Sequence, residues 1–295
     1  MVPRVVVLYR PSEYEELLAT HGTHGQAAFY LKHRGRDIED VLMREKEQAQ
    51  AIDRVLRAIP RKWRRMKISR RDLDRFLFEP EDLVVAVGQD GLVANAAKYL
   101  EGQSVIGINP NFRRFDGVLV KHRPDVAETL LQQTAARRVR LESRAMVEAR
   151  TDDGQCLYAL NEIFMGHRSH QSARYVIEWG ESKERHSSSG VIVSTGTGAT
   201  GWAQSIHRAR RCRLPLPAPE SPRLIFFVRE AFPSVATQTE LTEGILQREE
   251  ALTLTSEMNV GGVVFGDGLE ADRIDLRWSQ KITIRQADKR LRLVA

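Results

Sequence analysis

The sequence predicts an α/β, Rossmann-like domain with a parallel sheet in residues 1–138, followed by an all-β, sandwich-like domain in residues 139–295. Two observations indicate the first domain: apolar β-branched runs alternate with helix-like segments, and the links between them are short. A third observation indicates the second domain, because after about Arg140 the chain turns to short β-branched and aromatic segments separated by turns. With 295 residues, 42% of them hydrophobic, the chain is long enough to form both cores.

The elements of the first domain follow from hydrophobic periodicity. Residues 5–9 form a β-branched apolar run, and the stretch after Arg36 repeats apolar side chains at three- and four-residue spacings, which predicts a long helix. Two further buried strands are predicted at residues 83–87 and 105–109, with a helix at residues 91–100 between them. Strand, helix and strand joined by short links imply a parallel sheet.

A predicted helix at residues 124–138 leads to the second domain. There, residues 145–160 predict two strands joined through Asp153 and Gly154, since Asp-Gly favours hairpin turns. The same β-rich texture continues in the segments ARYVIEW, VIVS, RLIFFV, LTLT, RIDLRW, KITI and RLRLV. Residues 213–223 are rich in proline and are predicted to form a surface loop.

Composition favours a soluble, cytoplasmic protein. No apolar run reaches the roughly 18 to 20 residues of a membrane span, and the N-terminal stretch lacks the features of a signal peptide. Cys156 and Cys212 lie far apart without metal-ligand spacing, which indicates neither a disulfide framework nor a zinc site. The formal charge of +6 and the pI near 9.5 suit an anionic partner. The basic runs at 61–75 and 207–213 match no known nucleic-acid-binding motif and are interpreted as solvated charged faces, so neither nucleic acid nor a membrane is expected as a partner.

The stretch DLVVAVGQDGL (82–92) provides the first functional hypothesis. Asp90 lies between Gly88 and Gly91 where a buried strand ends and a helix begins, and ligands of open α/β sheets bind at such ends. Backbone amides at the turn, backed by a helix N-terminus, attract phosphate. A carboxylate among them is suited to accept a proton from a hydroxyl nucleophile or to hold Mg²⁺. The alternative is an ordinary Asp-Gly turn or a helix cap.

Two further stretches offer polar groups to a ligand. In GVIVSTGTGATGW (190–202), a strand leads into a loop where Thr195, Thr197 and Thr200 alternate with glycines, although a flexible loop without function is the alternative. The loop lacks the Gly-Lys-Ser/Thr of a Walker A motif. In YALNEIFMG, Asn161 and Glu162 interrupt an apolar strand. A buried polar group left unsatisfied costs about 1 to 3 kcal/mol, so this pair is predicted to serve an internal network or a ligand.

Together these stretches resemble the NAD kinase family. The family's Gly-Gly-Asp-Gly-Thr turn is similar to GQDGL (88–92), and its Asn-Glu pair is similar to Asn161-Glu162. Its Ser-Thr-Pro-Thr-Gly-Ser-Thr-Ala-Tyr loop is similar to STGTGATGW (194–202), and a late Asp-Gly resembles Asp267-Gly268. The four motifs follow one another in the family's order from about residue 80 onward, and the predicted α/β-then-β architecture agrees with the family fold.

The resemblance implies transfer of the terminal phosphoryl group of ATP, or of polyphosphate, to the 2′-hydroxyl of the adenosine ribose of NAD. Mg²⁺ would accompany ATP, and NAD would be the acceptor substrate. The resemblance implies that Asp90 is the catalytic base or orients the hydroxyl. The nucleotide-binding residues that it implies are Gly88, Gln89, Gly91, Asn161, Glu162, Thr195, Thr197, Gly198, Thr200, Trp202 and Asp267. It further implies a site in the cleft between the domains and a homo-oligomer, either dimer or tetramer.

Several residues depart from the family pattern. Gln89 replaces the second glycine of the turn and Leu92 replaces its threonine. In the loop, Gly196 replaces proline and Trp202 replaces tyrosine. Ser189 stands where relatives often carry an aspartate, which leaves another adenosine-bearing acceptor open.

Other hypotheses remain open at this point. One is a regulatory protein that binds NAD or NADP without turnover, and another is a lipid or sugar kinase, since the diacylglycerol and sphingosine kinase families share the turn. The Asn-Glu pair favours the NAD kinase branch. The histidine pairs in HGTHG (21–25) and GHRSHQ (166–171) lack a third metal ligand and indicate surface or capping roles, so no protein metal site is predicted. The arginines of residues 207–213 either attract a polyanionic donor or form a solvated helix face.

Overall fold

The computed structural model describes residues 2–114 and 116–295. Over these residues the chain divides into two compact units, Met1–Glu142 with Arg292–Ala295 and Ser143–Leu291. The division after residue 138 stays a prediction, and nothing in the sequence indicates that the C-terminal residues join the first unit. Among the helices of the described residues, none is long and apolar enough to cross a membrane.

The first unit contains a parallel sheet flanked by helices. Its elements are β1 (Arg4–Tyr9), α1 (Glu13–His21), α2 (His24–Lys32), α3 (Ile38–Ala58), β2 (Arg64–Ser69), β3 (Leu83–Val87), α4 (Asp90–Ala97), β4 (Ser104–Ile108) and α5 (Ala127–Ala135). The strand order is β2–β1–β3–β4, and each neighbouring pair is parallel. At the end of the chain, Arg292 and Leu293 extend this sheet by parallel pairing with β4. The predicted α/β class is confirmed.

Burial explains why most of these elements could be predicted. Strand β3 is buried along its whole length, as expected of a parallel strand covered on both faces. Helix α3 begins after its N-cap residue Asp37 and buries Val41, Ile52 and Val55, which belong to the predicted apolar stripe. Val55 and Ile52 pack with the strands in one hydrophobic core.

Strand β2 and the α1–α2 hairpin were not predicted. Strand β2 lies at the sheet edge within the basic run 61–75, and its side chains are largely exposed, so hydrophobic periodicity does not reveal it. The HGTHG stretch lies at the junction of the two helices, where Gly22 ends α1 and the Thr23 hydroxyl caps α2. The caps are thus made by Gly22 and Thr23, while His21 and His24 are the terminal residues of the two helices.

The second unit is an antiparallel sandwich. Its elements are β5 (Leu141–Thr151), β6 (Cys156–Ala159), β7 (Glu162–His167), β8 (Ala173–Trp179), β9 (Ser182–Ser188), β10 (Val191–Ser194), α6 (Trp202–Arg210), β11 (Leu224–Val228), β12 (Glu243–Leu246), β13 (Ala251–Ser256), β14 (Gly262–Gly266), β15 (Ile274–Leu276) and β16 (Lys281–Val294). One antiparallel sheet contains β9–β8–β13–β16, with β5 pairing to β16 and β6. Another follows the order β12–β11–β10–β7–β14–β15. Inward-facing side chains of both sheets form a continuous core, which confirms the predicted sandwich.

Several details of the second unit differ from the prediction. The segments KITI and RLRLV belong to one strand, β16, because the intervening polar residues continue the extended backbone. Strand β9, SKERHSS, escaped prediction because its side chains are polar. The Asp153-Gly154 hairpin between β5 and β6 is present as predicted, with Gly154 at φ 92°. The histidine and arginines of residues 207–210 form the last turn of α6, which agrees with a helix face.

Candidate functional site

The carboxyl ends of β1 and β3 lie side by side in the first unit, where the strand order reverses. Strand β1 has β2 on one side and β3 on the other. Strand β1 is followed by α1, and strand β3 is followed by α4. In open α/β sheets this switch point leaves a crevice outside the strand ends, where ligands bind. The GQDG turn directly follows β3 and therefore lies at this point.

A cavity of about 460 Å³ opens at the switch point. Gly88, Gln89 and Gly91 of the predicted turn line it, together with Leu92. The guanidinium-bearing residues of its lining are Arg10, Arg44, Arg70 and Arg114. Guanidinium groups beside a glycine turn at a helix N-terminus suit phosphate. Sequence reasoning missed these arginines, since they come from four separate segments that only the sheet topology brings together.

The Asp90 carboxylate binds backbone amides in this structure. Its Oδ1 accepts from the amides of Leu119 and Val120 at 2.8 and 3.1 Å, and its Oδ2 accepts from the amide of Val118 at 2.9 Å. Asp90 does not act as the N-cap of α4, because the cap residue is Gln89 and it makes no side-chain capping bond. The carboxylate thus tethers the loop after β4, which is a sufficient structural reason for an aspartate here. Its catalytic role stays a prediction.

Gly91 has no steric reason within the described residues to be a glycine. A Cβ built on it would meet nothing within 4 Å, and Gly91 lies in the first turn of α4. Glycine in a helix costs about 0.5 to 1 kcal/mol relative to alanine. Packing within the protein does not explain why this cost is tolerated at Gly91. A ligand that approaches the backbone of Gly91 closely at the cavity wall would explain the glycine.

In the second unit, the Asn-Glu pair and the late Asp-Gly meet although they lie far apart in sequence. The Asp267 carboxylate accepts from the amides of Leu160 and Asn161 at 3.0 and 2.7 Å. The Asp267 amide in turn donates to the carbonyl oxygen of Glu162 at 3.0 Å. Asp267 adopts a left-handed backbone, with φ 54°. Asp267 therefore holds the backbone that presents Glu162.

The threonine-glycine loop packs against the same segment. The fully buried Thr195 hydroxyl donates to the carbonyl of Leu160 at 2.6 Å and accepts from the amides of Thr197 and Gly198. A Cβ on Gly198 would collide with the carbonyl oxygen of Asn161, so glycine is required there by packing. The Thr195 side chain shapes the loop and exposes nothing to a ligand in this structure.

The remaining hydroxyls of the loop are also engaged within the protein. The buried Thr197 hydroxyl accepts a hydrogen bond from Arg144 at 3.3 Å. The hydroxyl of Thr200, which is exposed, donates to the Thr197 carbonyl at 2.9 Å. Internal hydrogen bonds therefore account for both threonines, and their contact with a nucleotide stays a prediction.

Glu162 is the most strongly perturbed carboxyl group of this cluster. Burial, and then the charge of Asp267, raise its pKa from 4.5 to about 7. Among the described residues, none forms a hydrogen bond with its carboxyl group. A half-buried carboxyl group that titrates near neutrality and has no protein partner is a typical functional-site residue. It is suited to accept a hydrogen bond from a ligand hydroxyl.

Trp202 is the first residue of α6 in the same unit and packs, partly buried, against Phe164. Its ring stacks on Phe164 with 5.8 Å between centroids, and the Arg229 guanidinium lies 5.1 Å above the indole. These residues and Ser189 line a cavity of about 580 Å³. Phe164 follows Glu162 by two residues in β7, so both side chains point to the same face of that strand.

The structure thus forms two local groups from the predicted site residues. Gly88, Gln89, Asp90 and Gly91 share one turn in the first unit, and Thr195, Thr197, Gly198 and Asp267 gather around Asn161 and Glu162. Trp202 instead lines the cavity that contains Phe164 and Arg229. Within the residues that the structure describes, no group of three or more His, Cys, Asp or Glu side chains could hold a metal ion.

Curated proteins named NAD kinase match part of this chain. The protein of Chlorobaculum tepidum is 26% identical over 127 residues, which make up 42% of this chain and 44% of that protein. The protein of Psychrobacter arcticus is 31% identical over 147 residues, 48% of this chain and 44% of its own length. The protein of Acinetobacter baylyi is 35% identical over 137 residues, 44% of each chain. The chain therefore matches less than half the length of these relatives, and no protein-family model matches it.

Solved structures extend the likeness over the whole chain. The crystal structure of an NAD kinase from Archaeoglobus fulgidus in complex with ATP has a TM-score of 0.61 at 19% identity, covering 99% of this chain and 93% of that one. The structure of yeast NADH kinase complexed with NADH has a TM-score of 0.62 at 14% identity, covering 100% of this chain and 84% of that one. The chain has the fold of these kinases, and its resemblance to the NAD kinase family is confirmed.

Proposed function

We propose that this chain, a relative of NAD kinases in sequence and in fold, is a phosphotransferase that moves the terminal phosphoryl group of ATP to the 2′-hydroxyl of the adenosine ribose of NAD. The product is NADP. Polyphosphate is proposed as the alternative phosphoryl donor to ATP. A cytoplasmic location and a homo-oligomeric state, dimer or tetramer, are predictions that belong with this proposal.

One observation carries the proposal: the GQDG turn borders a cavity lined by arginines at the switch point of the sheet. Phosphoryl transfer depends on positioning and on neutralising the charge of the phosphate oxygens, and little covalent help from the protein is needed. Backbone amides at the start of α4 and guanidinium groups supply both. Gly88, Gln89 and Gly91 accordingly form the phosphate-binding turn.

Asp90 is proposed to accept the proton of the 2′-hydroxyl or to orient that hydroxyl. Because three backbone amides bind its carboxylate, Asp90 must release at least one of them, or share an oxygen, when a hydroxyl approaches. The Asp90 carboxylate then binds the loop amides in the free protein and the substrate hydroxyl in the complex.

The second-unit residues are proposed to bind the adenosine of NAD. Asn161 contacts the adenine, and Thr197, Gly198, Thr200 and Trp202 line its pocket. Glu162 accepts from the ribose hydroxyls, while Thr195 and Asp267 hold the backbone of the pocket. Because an ionised carboxylate is the better acceptor, NAD affinity should rise as the pH passes the Glu162 pKa of about 7.

Mg²⁺ enters the proposal as part of the MgATP substrate. The described residues offer no cluster of three metal-ligating side chains, and Mg²⁺ is commonly bound through substrate phosphates with one or two carboxylates. Glu16 and Glu45 of the cavity lining are carboxylates that fit such a supporting role.

The test compares NADP formation by the wild type with that of the Asp90→Asn variant, at a temperature where both are folded. We expect a fall in kcat of about 100-fold or more, typical of a missing general base. The matched control is Asp74→Asn, which removes an exposed carboxylate of the same unit. Unchanged kcat in Asp90→Asn would show that the carboxylate only tethers its loop.

A regulatory NAD-binding protein without turnover is the second candidate. The observation that favours it is the engagement of the Asp90 carboxylate by three amides, since a purely structural aspartate leaves no base at the turn. Calorimetry with NAD and NADP decides between the two: nucleotide binding without any NADP formed from ATP or polyphosphate would favour this candidate.

A further inference from the structure

Two arginines emerge side by side from the carboxyl edge of the sheet. Strands β1 and β2 are parallel neighbours, and their last residues, Tyr9 and Ser69, pair in register. Arg10 and Arg70 are the next residues of each strand, so the topology places them together. Both line the cavity that the GQDG turn borders.

The two arginines differ in their ion pairs. Among the described residues, Arg70 has no carboxylate within 4 Å, and Arg10 has only Glu16 at 3.7 Å. Burial, and then the charge of Arg10, lower the pKa of Arg70, whereas the charge of Glu16 raises it. Two neighbouring positive charges that share one carboxylate, Glu16, are stabilised by an added anion.

The cavity also contains glutamates, and most of them have partners within the protein. Glu13 pairs with Arg36 and Arg44 at 2.5 and 2.7 Å. The Glu47 carboxylate accepts from the Asn111 side chain at 2.6 Å. The lining thus carries four arginines and four glutamates, and the glutamate that contacts the arginine pair is Glu16, beside Arg10.

Arg44 provides a second, independent observation that points to a ligand in this cavity. Its Nε atom is buried and has no hydrogen-bond partner in the described structure, although its terminal nitrogen binds Glu13. A buried charged donor without an acceptor is costly, and a ligand oxygen would satisfy it.

The lining of the cavity also indicates what kind of ligand it takes. Its apolar side chains are Pro11, Leu92 and Pro110, and no aromatic side chain among the described residues lines it. Ligand pockets generally use aromatic and apolar walls to hold a flat ring, and the three apolar side chains here stand among eight charged ones. The ligand group that fits is a chain of phosphates.

We propose that Arg10 and Arg70 form a binding site for the phosphate chain of the phosphoryl donor, which is recognised by its charge and not by its base. This inference rests on the proposed function, since it names the donor-binding residues of the same site. Inorganic tripolyphosphate and a nucleoside triphosphate share the required chemistry, so both should bind.

The experiment is isothermal titration calorimetry of the full chain with ATP, GTP and inorganic tripolyphosphate, at an ionic strength of roughly 0.15 M, where exposed charges are screened. For the wild type we expect the three dissociation constants to agree within about tenfold. In Arg70→Gln and in Arg10→Gln, each ligand should bind about 10- to 100-fold more weakly, as for the loss of a hydrogen bond between charged groups.

The matched control is Arg71→Gln, which removes the same charge from the exposed neighbour of Arg70 outside the cavity. It should change each dissociation constant by less than about threefold, as expected of an exposed charge. Thermal melts of all variants check that they are folded. Equal effects of Arg70→Gln and Arg71→Gln, or binding of ATP with no binding of tripolyphosphate, would overturn the proposal.

The outcome is separable from that of the proposed function, because binding is measured without NAD. A chain that binds tripolyphosphate through Arg70 but forms no NADP would retain this site and lose the kinase assignment. A chain that forms NADP with the same donor KM in the wild type and in Arg70→Gln would retain the kinase assignment and lose this site.

Discussion

Replacing Glu162 with glutamine removes a carboxyl group that the fold holds in an unfavourable place. Burial, together with the charge of Asp267, raises the pKa of Glu162 from 4.5 in an unfolded chain to about 7. Between these two pH values, the unfolded state has lost the proton while the folded state still binds it. The wild type should therefore lose stability as the pH rises through this window, and most of the loss should be complete above pH 7.

The magnitude follows from the width of the window. Each pKa unit corresponds to about 1.36 kcal/mol, so a rise from 4.5 to about 7 costs the wild type at most about 3 kcal/mol of unfolding free energy at pH 8. The Glu162→Gln side chain carries no charge at any pH, so the variant does not incur this loss of stability. Near pH 4 the two proteins differ only by the small change in side-chain chemistry.

Urea denaturation at several pH values between 4 and 8, followed by tryptophan fluorescence, measures the difference. Trp179 and Trp202 report on the second unit, which contains Glu162. The variant should become more stable than the wild type as the pH rises, by up to about 3 kcal/mol. The control Glu181→Gln, at an exposed position of the same unit, should keep the wild-type pH dependence. A stability difference that does not change with pH would refute the reasoning.

Three further predictions concern the turn and the loop. Asp90→Asn should lower the free energy of unfolding by about 1 to 2 kcal/mol, because the amides of the loop after β4 lose a charged acceptor; unchanged urea denaturation would contradict this. Gly198→Ala should cost about 1 to 3 kcal/mol, since its Cβ collides with Asn161, and a thermal melt equal to that of the wild type would refute the packing argument. Gly91→Ala should stabilise α4 by about 0.5 to 1 kcal/mol while weakening ATP binding; calorimetry that finds equal affinity would remove the ligand explanation for this glycine.

The fold was largely predictable from the sequence because its central elements carry strong hydrophobic signals. The fully buried β3 is a continuous apolar run, and α3 keeps one apolar stripe. The edge strand β2 and the polar strand β9 were missed, since both depend on backbone pairing more than on side-chain burial.

The site was predictable in its motifs but not in its cavity. Asp90 and Glu162 stand out in sequence as polar residues beside apolar strands. The arginines at the switch point come from separate segments, and only the parallel register of β1 and β2 places Arg10 beside Arg70. The role of Thr195 could not be foreseen either, because its buried hydroxyl bonds depend on the packing of two distant loops.

The central claim is that this chain makes NADP. Purified protein should be incubated with Mg²⁺, ATP and NAD, and the NADP formed should be measured with a dehydrogenase specific for NADP. The account predicts NADP that accumulates with time and requires both the protein and a phosphoryl donor. No NADP from ATP or from polyphosphate, with a protein that is folded and binds NAD, would contradict it.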